Sequence, residues 1–152
     1  MIKILCVGKI KESFFTEGIK EYQKRIEGYT KFSILEVKEV NTQDINKNIW
    51  EEGKNLLGKI AEDEYVITLE IKGKRIDSVE LAKLIEEKQT YGFSKITFVI
   101  GGSNGLSEEV IRRSNYHLSF SDFTFPHQLM RLILAEQIYR ALTIINNKEY
   151  HK

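Results

Sequence analysis

A glycine-rich loop lies directly after a short apolar segment in the second half of the sequence. Residues 96–100, Ile-Thr-Phe-Val-Ile, are typical of a buried strand, and Gly-Gly-Ser-Asn-Gly follows at 101–105. Glycines in this place let a ligand approach the backbone, because no Cβ intervenes and positive φ values cost little. The pattern is consistent with a small-molecule site, and a tight strand-to-helix turn without a ligand explains the loop alone equally well.

The loop lacks the motifs of two common nucleotide sites. It has neither the Gly-x-Gly-x-x-Gly order of a dinucleotide-binding loop nor the Gly-Lys-Ser/Thr of a P-loop. The histidines His117, His127 and His151 are scattered along the sequence, and the single cysteine, Cys6, is remote from them, so we predict no metal site. Cys6 stands in an apolar run, which favours a packed core residue over a nucleophile.

A second candidate segment precedes the last helical pattern. Residues 118–125 alternate Leu and Phe with Ser, Asp and Thr, and Pro126 follows where it can open a helix. The apolar residues Leu129, Ile133 and Tyr139 continue that helix. An extended segment therefore meets a helix start here, as it does at the glycine loop, and this favours a ligand site over a simple turn.

The rest of the sequence alternates between strand-like and helical segments. We predict strands at residues 1–8, 32–40, 65–71, 96–100 and 116–120, and the last two helices at 108–114 and 126–146. Five alternations predict an α/β fold with a Rossmann-like, largely parallel sheet in a single domain, 1–152. Ligands of such sheets lie beyond the carboxyl ends of the strands, which are here 69–73, 101–105 and 120–125.

Several helix starts carry capping signals, and apolar stripes indicate the buried helix faces. Thr42 or Asp44 is suited to cap the second helix, Asp77 with Glu80 matches a capping box, and Ser107 is suited to cap the helix after the glycine loop. The stripes expected to face the sheet are Phe15, Ile19, Tyr22, Ile26 and Tyr29 in the first helix, and Ile45, Ile49, Leu56 and Ile60 in the second.

Four motifs in register carry a family resemblance. They are Ile-Thr-Leu-Glu-Ile-Lys-Gly-Lys at 67–74, Ile-Gly-Gly-Ser-Asn-Gly-Leu at 100–106, Leu-Ser-Phe-Ser-Asp-Phe-Thr-Phe-Pro-His-Gln at 118–128, and Tyr-His-Lys at 150–152. Together they resemble the RlmH-type members of the SPOUT, or α/β-knot, methyltransferases. The resemblance implies a homodimer that uses S-adenosylmethionine to methylate N3 of a pseudouridine in 23S ribosomal RNA within the assembled ribosome. It also implies a C-terminal trefoil knot, which periodicity alone does not predict.

The resemblance implies a cofactor site at these strand ends. The residues expected to contact S-adenosylmethionine are Leu69, Gly101, Phe120, Ser121, Asp122, Phe123, Thr124 and Phe125. Core packing is the alternative explanation for Leu69 and for each phenylalanine taken alone. Their joint position favours the cofactor site.

The resemblance also implies a catalytic role for the last residues of the sequence. Methyl transfer from a sulfonium needs no covalent intermediate, so the protein must mainly align donor and acceptor. The imide N3 of a uracil-type ring carries a proton near neutral pH, which makes a general base desirable. His151 is the candidate base, flanked by Tyr150, and Arg140 is a candidate to contact a phosphate or steady a developing anion. The structural alternatives are a frayed tail and a surface arginine.

Composition restricts the remaining possibilities. With 23 Lys plus Arg against 22 Asp plus Glu, the formal charge of +1 provides no overall field that attracts nucleic acid, so RNA contacts must be local or shared between subunits. No apolar run approaches the roughly 20 residues of a membrane span, and no signal peptide is apparent, so we expect a cytoplasmic protein. Two alternatives stay open, a non-catalytic ribosome- or RNA-binding module of the same fold and a Rossmann-type nucleotide-binding enzyme.

Overall fold

Strands and helices alternate along the chain. The computed structural model describes all residues, 1–152. The strands are β1 (Ile2–Val7), β2 (Phe32–Val37), β3 (Tyr65–Arg75), β4 (Ile96–Ile100) and β5 (Tyr116–Ser119), and the helices are α1 (Ser13–Glu27), α2 (Ile45–Leu57), α3 (Ser78–Thr90), α4 (Glu108–Arg113) and α5 (His127–Ile145). The predicted α/β alternation is confirmed.

Short polar side chains start three of the helices, as the sequence predicts. Asp44 accepts a hydrogen bond from the backbone N–H three residues later at 3.1 Å, and Ser107 does the same at 3.3 Å. Asp77 and Glu80 form the predicted capping box at the start of α3. These bonds satisfy N–H groups that a helix start leaves without partners, and each typically stabilises the fold by about 1 kcal/mol.

The five strands form one sheet in the order β2-β1-β4-β3-β5, and every neighbouring pair is parallel. All strands therefore end at the same edge of the sheet, which we call the carboxyl edge. β4 lies in the middle and its residues are all buried, which explains why its sequence shows no alternation of apolar and charged residues. The glycine loop thus leaves the centre of the carboxyl edge, between the ends of β1 and β3.

Helices cover both faces of the sheet. α5 packs between α1 and α3, and α2 packs against α4 and β1. Alternate residues of β1 enter the two layers, with Ile2, Ile4 and Cys6 in the larger core and Leu5 and Val7 in the smaller one. Cys6 is fully buried, as predicted, and burial raises the pKa of its thiol to about 12, so it is not a nucleophile.

Two strand boundaries differ from the sequence prediction. β2 ends at Val37 and not at residue 40. β3 continues to Arg75 and does not end at residue 71, because after an irregularity it pairs again with β5. The local sequence predicts that β3 ends at this irregularity. The strand continues because it pairs with β5, which lies far away in sequence.

The buried face of α2 also differs from the prediction. Ile45, expected to face the sheet, is 55% exposed because it is the first residue of the helix. Asn48 and Glu52 are buried on that side together with Leu56. The apolar stripe does not predict the burial of Asn48 and Glu52. Their polar side chains can be buried because they form hydrogen bonds to the loop before the helix.

A buried ion pair ties β1 to the residues before β3. The Nζ of Lys3 lies 2.8 Å from the carboxylate of Glu64 and donates to the carbonyl of Lys59 at 2.7 Å. Glu64 also accepts hydrogen bonds from the hydroxyl of Thr97 and the N–H of Ala61. Burial by itself raises the pKa of Glu64, but these bonds and the charge of Lys3 outweigh it, so the pKa lies below its ordinary value.

The trefoil knot stays a prediction, because the order and pairing of strands do not describe how the last segment threads past the rest of the chain. No helix of the structure has the length and apolar character needed to cross a membrane.

Candidate functional site

A cavity of about 860 Å³ opens at the carboxyl edge of the sheet. Its wall consists of the ends of β3 and β4, the glycine loop, the loop before α5 and the first turn of α5. All but one of the residues expected to contact the cofactor line it, namely Leu69, Gly101, Phe120, Ser121, Phe123, Thr124 and Phe125. The cavity has the size of a small-molecule site and combines apolar side chains with backbone groups.

The glycine loop is compact because three of its five residues have no side chain. A Cβ on Gly101 would lie 2.9 Å from the carbonyl carbon and oxygen of Gly105 and 3.0 Å from the side chain of Leu106. The N–H of Gly105 donates to the carbonyl of Gly102 at 3.1 Å, and Gly105 has a φ of +88°. The loop therefore folds back on itself and presents its other side to the cavity.

A buried carboxyl group supports this loop from the α2 layer. Glu52 is 5% exposed and accepts a hydrogen bond from the N–H of Val40 at 2.9 Å. Its other oxygen lies 3.1 Å from the place of a Cβ on Gly102. Burial raises the pKa of Glu52, although the Val40 N–H opposes the shift. Glu52 is not among the residues predicted for the site, because its only signal in the sequence is a glutamate four residues before the core residue Leu56.

The irregular part of β3 forms a further wall of the cavity. β3 pairs with β5 up to Leu69 and again from Lys74, so residues 70–73 bulge out of the ladder, and 70–72 line the cavity. The carboxylate of Glu70 accepts a hydrogen bond from the hydroxyl of Thr68 at 2.5 Å and contacts Nδ1 of His117. The sequence prediction places a strand end here but does not identify Glu70 as part of the site.

Asp122 is the expected cofactor contact that does not line the cavity. Its carboxylate pairs with the guanidinium of Arg75 at 3.0 Å, and both side chains are exposed. Its neighbour Phe123 lines the cavity but is 78% exposed, and its N–H donates to the hydroxyl of Ser121 at 3.0 Å. A phenylalanine left in water at the mouth of a cavity is typical of a contact surface.

The candidate catalytic residues meet at the far end of α5. Nη1 of Arg140 lies 3.2 Å from Nδ1 of His151, and the guanidinium lies 4.8 Å from the ring centroid of Tyr150. Glu136 accepts hydrogen bonds from Arg140 at 2.9 Å and from the Tyr150 hydroxyl at 3.2 Å. The tail is therefore held on α5 and is not frayed in this structure.

The electrostatics of this cluster separate the roles of its members. The hydrogen bond to Glu136 raises the pKa of Arg140, which therefore stays charged. Burial, with contributions from Tyr22 and Glu136, raises the pKa of Tyr150 to about 12, so its hydroxyl keeps its proton and acts as a donor. Of the three side chains, the imidazole of His151 is the one that offers a nitrogen lone pair and can serve as a base.

The length of α5 separates this cluster from the cavity of the same chain. His127, at the start of the helix, lines the cavity, whereas His151, Tyr150 and Arg140 do not. Arg140 lies thirteen residues after His127 in the same helix, which amounts to roughly 20 Å at the rise of an α-helix. The two parts of the expected site are thus formed, but they are not brought together within one chain.

The glycine loop also has the Gly-x-Ser-x-Gly spacing of a serine-hydrolase elbow, with Ser103 as its serine. A hydrolase needs a histidine that is hydrogen-bonded to this serine. The histidine side chains that form hydrogen bonds are those of His117, with Thr68 and Glu70, and of His151, with Arg140. Ser103 is therefore not part of a catalytic triad.

A parallel sheet with a small-molecule cavity at its carboxyl edge defines the class of an α/β ligand-binding protein, and comparisons with known proteins give the family. A family model described as a predicted SPOUT methyltransferase matches residues 1–151. Proteins named ribosomal RNA large subunit methyltransferase H are similar over 99% of both chains, at 53% identity in Limosilactobacillus fermentum, 52% in Limosilactobacillus reuteri and 49% in Carboxydothermus hydrogenoformans. The chain belongs to the SPOUT methyltransferase family, and it is a methyltransferase.

Proposed function

We propose that this methyltransferase transfers the methyl group of S-adenosylmethionine to N3 of a pseudouridine in 23S ribosomal RNA, in the cytoplasm and as a homodimer. The observation that carries the proposal is the cavity in which the glycine loop, the bulge of β3 and the loop before α5 meet. The names of the curated relatives, which specify RNA of the large ribosomal subunit, support the choice of substrate.

The chemistry of the cavity fits S-adenosylmethionine. Apolar side chains such as Leu69 and Phe120 line it beside the open backbone of the glycine loop. The apolar groups can pack on an adenine ring, and backbone N–H and C=O groups can bond to the edge of the base. When bound, the cofactor supplies an activated methyl group, and the task of these residues is to hold it in one orientation.

The proton on N3 of the acceptor defines the role of the tail. In the structure Nδ1 of His151 accepts a hydrogen bond from Arg140, so a neutral ring carries its proton on Nε2. For His151 to act as the base, Arg140 must turn away from Nδ1. A phosphate or the developing anion of the acceptor can draw the guanidinium away, because it accepts a stronger, charge-assisted hydrogen bond. Tyr150 contacts the guanidinium and positions it.

The separation of tail and cavity supports a homodimer. If the tail takes part in the reaction, it must act at the cavity of a second chain, because α5 holds it roughly 20 Å from its own. A second chain also enlarges the RNA-binding surface of a protein whose formal charge is only +1. α5 is the proposed contribution of each chain to the interface.

Mapping of ribosomal RNA tests the substrate. Mass analysis of 23S rRNA fragments from cells that lack the protein should reveal one pseudouridine without its methyl group. Purified protein and S-adenosylmethionine should restore that methyl group on large subunits isolated from these cells. An unchanged map in the deficient cells would overturn the proposed substrate.

The charge of the chain leads us to propose the assembled particle as the substrate form. With a formal charge of +1, the protein gains little from non-specific phosphate attraction, which dominates affinity for naked RNA. Recognition must then depend on shape and on an acceptor base that is already displayed in a loop. Methyl incorporation into intact ribosomes, large subunits and deproteinised RNA at one salt concentration should be lowest for the deproteinised RNA. Equal rates would show that the enzyme reads RNA alone.

A further inference from the structure

The outward face of α2 carries an aromatic and basic surface with no role in the site described above. Trp50 is 49% exposed, and Lys47 and Lys54 are exposed as well. Their spacing of three and four residues places them on one side of the helix. Nζ of Lys54 lies 4.1 Å from the ring centroid of Trp50, a cation–π contact that orients the ring. We call these three residues the Trp50 face.

The fully exposed charged side chains of α2 itself have one sign. The exposed residues of α2 are Ile45, Asn46, Lys47, Trp50, Lys54 and Asn55. They include lysines but no carboxylates, because Glu52 is buried under the glycine loop and Glu51 is partly buried. The exposed carboxylate nearest in sequence, Asp44, caps the helix through a backbone N–H. Lys47 and Lys54 are thus two exposed cations on a helix whose other fully exposed residues are uncharged.

We propose that the Trp50 face is an RNA-binding surface, on which an unpaired base of the substrate stacks against the open side of the Trp50 ring while Lys47 and Lys54 contact phosphates. This inference rests on the proposed function. Proteins hold unpaired nucleotides with aromatic rings, which accept any base, and with cations along the backbone. Asn46 and Asn55, exposed on the same helix, add groups that can hydrogen-bond to RNA.

The Trp50 face adjoins the methylation site through α2 itself. Glu52 lies against Gly102 of the glycine loop, and Gly102 lines the cavity. Trp50 is on the other side of the same helix, two residues earlier, so roughly one helix diameter, about 10 Å, separates its ring from the loop. An RNA whose target base enters the cavity can therefore contact α2 with nucleotides next to the target.

The fluorescence of Trp50 gives a direct test, because it is the only tryptophan in the chain. An RNA stem–loop that carries a pseudouridine in its loop, added at low salt, should quench this fluorescence as the base stacks. Lys47→Ala and Lys54→Ala should each reduce the dependence of binding on salt, with a slope smaller by about 0.7 per lost phosphate contact. Binding of the RNA without quenching would contradict the inference.

Kinetics with large subunits from deficient cells supply a second readout. Trp50→Ala should raise KM for the subunits about tenfold, the effect of losing one stacked base, and leave kcat and cofactor affinity unchanged. Trp50→Phe, which keeps an aromatic ring, should recover most of the loss. Tyr91→Ala is the matched control, since Tyr91 is also an exposed aromatic residue, 78% exposed, but lies at the end of α3.

The outcomes separate this inference from the proposed function. If the parent protein methylates no ribosomal RNA, the proposed function is wrong, and quenching by RNA still tests the Trp50 face. If the parent is active and Trp50→Ala has an unchanged KM, only the Trp50 face is overturned. A change of sedimentation in Trp50→Ala would show that the face binds protein, which would also overturn it.

Discussion

The structure explains why position 101 needs a glycine. A Cβ at this position would meet backbone atoms of Gly105 at 2.9 Å, and they cannot move aside unless the loop opens. We expect Gly101→Ala to lower the affinity for S-adenosylmethionine at least about tenfold while the protein stays folded, because the loop forms a wall of the cavity and not part of the core. Titration calorimetry measures the change.

Gly58→Ala is the matched control for this substitution. A Cβ on Gly58 would lie 3.5 Å from the carbonyl of Lys54, an ordinary contact, and the residue has a right-handed helical conformation. Its cofactor affinity should equal that of the parent. If Gly101→Ala also binds with unchanged affinity, the cofactor does not lie against the glycine loop.

Lys3 and Glu64 are residues whose charges contribute to stability and not to the site. Lys3→Met leaves a buried carboxylate with hydrogen bonds but without its cation, and we expect a loss of about 3 kcal/mol in the free energy of unfolding at pH 7. The exposed Lys20→Met should change it by less than about 0.5 kcal/mol. Urea denaturation measures both, and equal effects would contradict a stabilising ion pair.

The same pair predicts a pH dependence. The folded protein holds the pKa of Glu64 below the ordinary value of 4.5, so the unfolded chain binds the proton more readily. The stability that Glu64 contributes is present above about pH 4.5 and is lost as the pH falls below it through the folded pKa. Urea denaturation of the parent between pH 7 and about pH 3 should show the loss, and Lys3→Met should show a smaller one.

Among the secondary-structure elements, β3 shapes the cavity through its bulge. A Cβ on Gly73 would lie 2.8 Å from backbone atoms of His117 and Leu118, because the bulge brings β3 unusually close to β5 there. We expect Gly73→Ala to destabilise the protein by about 1–3 kcal/mol, as overpacking does, and to weaken cofactor binding as well. Thermal unfolding and calorimetry measure the two effects.

Gly58→Ala again provides the control, since it also adds one methyl group at a glycine. If Gly73→Ala lowers stability but leaves cofactor affinity intact, the bulge supports the sheet without shaping the cavity. The bulge could not be predicted from residues 69–75, because Lys72-Gly73-Lys74 has the composition of a strand end. Pairing of Lys74 and Arg75 with β5 residues 44 positions later is what continues the strand.

At the scale of the whole molecule, the distance between tail and cavity permits a complementation test. A variant that lacks residues 150–152 keeps its cavity. Gly101→Val, whose side chain is larger than that of Gly101→Ala and should abolish cofactor binding, keeps its tail, so each variant should be inactive alone. Mixed and refolded in equal amounts, they should recover about a quarter of the parent activity, because half of the dimers are mixed and each has one complete site. Methyl incorporation into large subunits measures the recovery.

The mixture also has a clear negative outcome. Sedimentation of the mixture checks that dimers form, and a mixture of dimers without activity would show that each tail acts on its own chain or on none. His151→Ala in place of the deletion should behave in the same way while cofactor affinity stays unchanged, since the tail is proposed to serve the acceptor and its proton.

Local sequence patterns were sufficient to predict the fold, the family and the position of most expected cofactor contacts. The apolar run at residues 96–100, the capping box of Asp77 and Glu80 and the strand–helix alternation predict the parallel α/β fold, because each depends on residues that are neighbours in sequence. The linear motifs at 67–74, 100–106 and 118–128 identify the family and place most of the expected cofactor contacts at one edge of the sheet.

Tertiary packing decided which distant residues meet. Glu52 lies under Gly102, and His117 contacts Glu70, because separate elements are packed together. Neither contact can be predicted from the spacing of these residues along the chain. The ion pair between Asp122 and Arg75 likewise forms because tertiary packing brings two distant segments together. Most consequential is α5, whose rigid rise of roughly 20 Å between His127 and Arg140 keeps the tail away from the cavity of its own chain.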